Sequence, residues 1–142
     1  MSSQLGQIVG SLGATTRTNT LSPYDFAYWA STFIATGEPS DYNDLGPEVD
    51  GASLASWAAS QIGVTFPSDY TSAAAALSAT AITVTAALQI RGALIVAPTK
   101  IAVCLGFGDA IDIISGRYFI KRVSIIDITK WSYGATLPGA IY

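Results

Sequence analysis

A chain of 142 residues with no histidine and one cysteine has no imidazole to act as general base or metal ligand. Nor can it form an internal disulfide or the familiar Cys/His zinc patterns, so no cofactor or metal is expected. Seven basic and ten acidic residues give a net charge of −3 with 12% of residues charged, against roughly 25% in an average soluble domain. Half the residues are hydrophobic and mean hydropathy is +0.41, so part of the surface is expected to be covered, and the length suits one domain.

Residues 1–20 are rich in Gly, Ser, Thr and Gln, with a weak apolar set at Leu5, Ile8, Val9 and Leu12. They read as an N-terminal arm, either flexible or ordered by a partner. The start, Met1 to Gln7, has neither a basic nor an apolar secretory region, so synthesis in a reducing cytoplasm is expected, with Cys104 a thiol.

A single domain is expected over 21–142. Ser22-Pro23-Tyr24-Asp25 predicts a helix start, with an N-cap serine and a proline at the first helical position. Phe26, Ala30, Phe33 and Ile34 then share one face, and Gly37 before Pro39 stops the helix. Tyr24, Tyr28 and Trp29 on this helix read as an exposed aromatic patch suited to a protein interface. Ser40 to Glu48 reads as an acidic turn region without the EF-hand calcium spacing.

Asp50 predicts the cap of a second helix over Gly51 to Ile62, stopped by Gly63, and an alanine-rich third helix runs from Asp69 to about Thr80. Tyr70 to Ile90 contains no charge, but Ala, Thr and Ser dominate it, so it reads as a packed soluble segment and no membrane insertion is expected. From Gly92 onward the pattern is strand-like: 93–97, 100–105, a turn over 106–109, 110–114, one or two strands within 117–128, and a final extended segment over 131–142. Helices followed by antiparallel strands predict an α+β domain.

Charge is divided along the chain: residues 1–90 hold seven acids and one base, residues 91–142 six bases and three acids. The halves can attract one another or face oppositely charged neighbours. The basic half has no cluster larger than Lys121-Arg122, so nucleic acid is not an expected partner.

Asp50-Gly51-Ala52-Ser53-Leu54-Ala55-Ser56-Trp57-Ala58-Ala59, followed by Gln61-Ile62-Gly63-Val64-Thr65-Phe66-Pro67, resembles the D-C-S-[GE]-L-V-x-W-A-A and A-G-V-x-L-P stretches of NlpC-type cysteine peptidases. Those enzymes cut peptidoglycan stem peptides, and the likeness is to versions carried by phages of actinobacteria. Arg91 to Val96 is similar to the family's R-G-A-L-L-F. Lys100 to Asp112 is similar to its H-V-A-I-S-L-G-D-G-R-T-I-E-A, and Trp131 with Leu137-Pro138-Gly139-Ala140-Ile141-Tyr142 to its W…I-P-G-x-x-Y ending. The ordered set spans about residues 40–142 and implies an NlpC/papain-like fold with N-terminal helices on an antiparallel sheet.

At the matching positions the nucleophilic cysteine is Gly51, the histidine base is Lys100, and the third polar residue is Asp112. A thiolate must attack the peptide carbonyl in this chemistry, and glycine has no side chain with which to do so. Ser53 is rotated roughly 200° from the old nucleophile on a helix, so a Ser53–Lys100 pair requires a rebuilt helix start. Cys104 shares the face of Lys100 about 13 Å along the strand and reads as a buried thiol. Lys100 reads either as a strand-end lysine pairing with Asp112 or Asp50, or as a cation kept to hold an acidic ligand such as a peptide carboxylate. Trp57 reads either as core or as a sugar-stacking platform.

The resemblance thus implies a pseudoenzyme, with Asp50, Ser53, Trp57, Lys100 and Asp112 as any residual groove. The expected role is a phage virion structural protein, a minor tail or tail-tip component made in the bacterial cytoplasm, which contacts other tail proteins and copies of itself. The alternatives are a peptidoglycan-binding module that does not cut, and a hydrolase with an unusual nucleophile.

Overall fold

The computed structural model describes residues 19–36, 50–114, 117–122 and 128–142, and the side chains of all these except 32–36, 114 and 117–122. Residues 1–18 of the arm and the acidic turn region lie outside the described residues, and the side chains of Phe33 and Ile34 lie outside the described side chains.

Helix α1 (Pro23–Thr36) begins where Ser22 accepts hydrogen bonds, at its carbonyl from Phe26 N–H (3.0 Å) and at Oγ from Asp25 N–H (3.4 Å). Phe26, Ala27, Trp29 and Ala30 point into the core. Trp29 is only 6% exposed, which corrects its predicted place in a surface patch; Tyr24 and Tyr28 are exposed. The physical reason is spacing: Trp29 stands three residues after Phe26 and next to Ala30, on the buried stripe.

Helix α2 (Gly51–Gln61) carries a full capping box: Asp50 Oδ1 accepts from Ser53 N–H (2.8 Å) and Ser53 Oγ accepts from Asp50 N–H (3.0 Å). Gly63, at φ +86°, lets the chain leave the helix in the left-handed region. Helix α3 (Tyr70–Ser78) is capped by Asp69, and Ala73 and Leu77 bury its i, i+4 stripe.

The stretch after α3 departs from the single packed segment predicted there. It forms a short strand β1 (Ala81–Ile82) and a five-residue helix α4 (Val84–Leu88), whose cap is Thr83 Oγ1 accepting from Ala86 N–H (3.1 Å). No helix among the described residues is long and apolar enough to cross a membrane.

Strands β2 (Leu94–Val96), β3 (Ile101–Gly106), β4 (Asp109–Ile114), β5 (Arg117–Arg122) and β6 (Tyr133–Ala135) complete an antiparallel sheet of order β1-β6-β2-β3-β4-β5. Within the final extended segment, β6 inserts between β1 and β2, pairing Ala135 with both Ala81 and Leu94.

Strand alternation divides the core. Leu94, Val96, Ile101, Val103, Ile111 and Ile113 face α1, α2 and α3, whereas Ile95, Ala102, Cys104 and Ala110 face α4 and Trp131. Both faces of the central strands are thus buried, so much of the hydrophobic surplus lies inside the domain and less of it needs an outside cover.

Candidate functional site

Gly51, Lys100 and Asp112 lie near the start of β3 on two sides of the sheet, Gly51 on the side of α2 and the ion pair on the side of α4. Gly51 is the first residue of α2, and its α-carbon is pressed against the backbone of Ile101, the neighbour of Lys100. A Cβ at residue 51 would stand 2.7 Å from the Ile101 carbonyl carbon and closer still to its oxygen. The volume a nucleophile needs is therefore already filled by main chain.

Lys100 reaches across to β4, where its Nζ lies 2.7 Å from Asp112 Oδ2. The lysine side chain is 35% exposed and the aspartate 1%. The same ammonium sits 5.0 Å from the centroid of Trp131, a cation–π distance. Trp131 belongs to the α4 side of the sheet, as do Ala102, Cys104 and Ala110. The Lys100 cation is thus held on the α4 face by a carboxylate and an indole.

Of the two readings of Lys100, the structure contains the ion pair with Asp112. The lysine side chain nonetheless remains part-exposed. A lysine in this setting can attract an anion or brace a buried carboxylate. With no imidazole in the chain, it faces no acid–base partner of the kind the peptidase chemistry uses.

The remaining groove candidates are occupied elsewhere. Asp50 and Ser53 serve the α2 cap, and the Ser53 hydroxyl also donates to the Asp50 carbonyl (3.0 Å). Both the donor and the acceptor capacity of that hydroxyl are therefore engaged locally. Trp57 packs edge-on against Trp29 of α1, with ring centroids 6.1 Å apart at 87°, and lies against the main core. The structure therefore pairs Lys100 with Asp112 on the α4 side and sets Gly51 against Ile101 on the helical side, where Asp50, Ser53 and Trp57 also lie.

Cys104 is fully buried, and the loss of hydration pushes its thiol up to about 12. An uncharged, buried thiol is a poor nucleophile. The Tyr142 hydroxyl tucks under the sheet end, donating to the Gly92 carbonyl and accepting from Leu137 N–H (2.8 Å). Burial of that end raises its pKa to about 12, although the ring remains half exposed. Among the described residues, no group of three or more His, Cys, Asp or Glu side chains comes together to hold a metal ion.

Two parts of this arrangement escape local sequence reasoning. The Ile101 carbonyl carries no residue-type signal. Trp131 meets Lys100 from 31 positions away, and its only sequence cue is its place in the tail motif.

Neither a protein-family model nor a curated protein matches the sequence. Among solved structures, the chain is similar to the P60 domain of an antigen from M. avium subspecies paratuberculosis. The two are 15% identical with a TM-score of 0.57, over 84% of this chain and 98% of that one. At that identity the likeness is one of fold: the chain has an α+β, NlpC/P60-like fold.

Proposed function

We propose that this chain is a catalytically inactive NlpC/P60-like domain that serves as a structural component of a phage virion, in the tail or tail tip. The observation that carries the inactivity is Gly51 pressed on the Ile101 backbone, which leaves no volume for a nucleophile at the head of α2. The Lys100–Asp112 pair supports it, because the former base position now neutralises a buried carboxylate. The capped Ser53 hydroxyl argues against a substitute nucleophile. The virion assignment rests on the sequence resemblance to phage-borne members of the family, and the low charge suits a chain that packs against neighbours.

Two assays test it. Purified peptidoglycan incubated with the chain should release no new amino termini above the protein-free background. Release that disappears in Ser53→Ala would instead establish a hydrolase. Mass spectrometry of purified particles should find the chain in stoichiometric amounts, and its absence from them would remove the virion role.

A second reading, a peptidoglycan-binding module, is favoured by one observation: the Lys100 side chain, though paired with Asp112, stays 35% exposed and keeps a cation near the surface for an anionic group. It requires that cell wall pull down the chain and that Lys100→Ala or Asp112→Ala weaken the capture.

A further inference from the structure

The N-terminal arm joins the domain at a firmly held point. Leu21 N–H donates to the Ile62 carbonyl at the end of α2 (3.0 Å), and the Leu21 carbonyl accepts from Ile141 N–H (2.7 Å). Asn19 and Leu21 are both left-handed, at φ +44° and +55°. Leucine rarely enters that region, so the course of the chain here is imposed by its neighbours and not by local preference.

Exposed apolar surface gathers around this junction. Among the described residues five large hydrophobic side chains are exposed, and four of them, Tyr24, Tyr28, Ile141 and Tyr142, belong here. Ile141 is tied to Leu21, and Tyr24 and Tyr28 lie about one turn apart on α1, which starts two residues after Leu21. The Tyr142 hydroxyl donates to the Gly92 carbonyl, while Gly92, at φ +93°, lies so close to Pro23 that a Cβ would overlap the proline carbonyl. Arg91 stands 5.5 Å from the Tyr24 ring centroid. With Tyr24 67% and Ile141 68% exposed, the described fold leaves this surface uncovered.

The arm carries a complement to it. Leu5, Ile8, Val9 and Leu12 recur at i, i+3, i+4 and i+7, one face of a helix, and the residues between the first and last of them are otherwise Gly, Gln and Ser. Eight residues with two glycines are too few to sustain a helix in water, so such a stripe gains order only by burying itself against a surface. Asn19 follows Leu12 by seven residues, up to about 23 Å of extended chain, which lets the stripe return to the surface beside its own root. A tether this short sets an effective concentration on the order of millimolar, which favours the arm's own domain over a separate copy at ordinary dilution.

We infer that the arm folds back on its own domain, with Leu5, Ile8, Val9 and Leu12 covering the surface formed by Tyr24, Tyr28, Ile141 and Tyr142. The occupant of that surface is a segment of the same chain, and a neighbouring protein that uses the surface must first displace it. This goes beyond the assembly role proposed above and does not depend on it.

Nuclear magnetic resonance of the full chain tests the inference, with a nitroxide attached at Gln7→Cys, on the side of the arm opposite the stripe. Cys104 is fully buried and leaves the reagent to the new thiol. In isotope-labelled chains that carry the nitroxide, diluted with unmodified unlabelled chain, the amide signals of Tyr24, Tyr28, Ile141 and Tyr142 should be lost. Adding Ile8→Ser and Val9→Ser, which removes half the stripe without touching the domain, should bring them back. Signals lost equally in that variant would mean only the nearness of a tethered arm, and signals never lost would mean an open surface; either overturns the inference. The converse mixture, isotope-labelled chain without nitroxide and unlabelled chain with it, should keep all four signals. Their loss there would place the arm on a second copy and overturn the assignment to its own domain. None of these outcomes bears on peptidoglycan cleavage or on the composition of particles.

Discussion

Gly51 and Ile101 share a contact that only glycine permits: the head of α2 lies directly on the carbonyl of the first β3 residue. Replacing a helical glycine by alanine ordinarily stabilises by about 0.5–1 kcal/mol. Here the added methyl meets backbone that belongs to the sheet and cannot swing aside. Overpacking of this kind costs about 1–3 kcal/mol, so the clash outweighs the propensity gain. Gly51→Ala is predicted to lower the urea midpoint, and Gly51→Cys with Lys100→His to restore no cleavage of peptidoglycan. A more stable Gly51→Ala, or a double variant that cuts, would contradict this.

The Lys100–Asp112 pair is asymmetric, and the asymmetry sets the second prediction. Asp112 is enclosed, whereas Lys100 can turn to water if its partner is lost. Lys100→Met removes the compensating cation from a buried carboxylate and is predicted to cost about 2–3 kcal/mol, below the fully buried range because the lysine is part-exposed. Asp112→Leu should cost less, and the double variant should fall within about 1 kcal/mol of the unmodified chain. Urea unfolding of the four proteins measures this coupling. Additive losses would mean that the two residues act separately.

For Phe107 the prediction is a gain. Asparagine tolerates the left-handed region that phenylalanine enters under strain. With the ring largely in solvent, little burial is forfeited. Phe107→Asn should therefore raise stability by about 0.5–1 kcal/mol, or about 2–4 °C in melting temperature. Thermal melts of the two proteins measure this, and a lower melting temperature for the variant would mean that Phe107 is held for intramolecular packing.

These cases also separate what the sequence makes legible from what it hides. The Asp50 and Asp69 caps, the stop at Gly63 and the hairpin at Gly106 to Asp109 are local events, spelled within four residues, and their elements appear where predicted. Helix α4 has a cap at Thr83 but only five residues, too few to show a period, so in the sequence it merges with the apolar run around it. Trp29 reads as exposed because its neighbours Tyr24 and Tyr28 truly are, yet the spacing from Phe26 draws it inward. The missing side chain is visible at Gly51, but not what fills its place, the Ile101 backbone fifty positions away.

Alkali should expose two buried acids, Cys104 and Tyr142. Burial raises the Cys104 thiol from 9.0 to about 12 and the Tyr142 hydroxyl from 10.0 to about 12. Between those values the unfolded chain has released protons that the folded chain still holds, so stability falls as pH rises. The contribution is complete below pH 9, and each group adds a slope of up to about 1.4 kcal/mol per pH unit above its unfolded pKa. Urea midpoints should be level from neutrality to pH 9 and then decline, the thiol entering first and the phenol from pH 10. Cys104→Ala leaves a small cavity and lowers stability throughout, yet it should delay the onset of the decline to the tyrosine's range. An independent readout is the thiol itself: at mildly alkaline pH an aromatic disulfide reagent should fail to modify the folded protein and react at once in urea. Rapid modification without denaturant would show that Cys104 is reached by solvent and would undo the predicted slope with it.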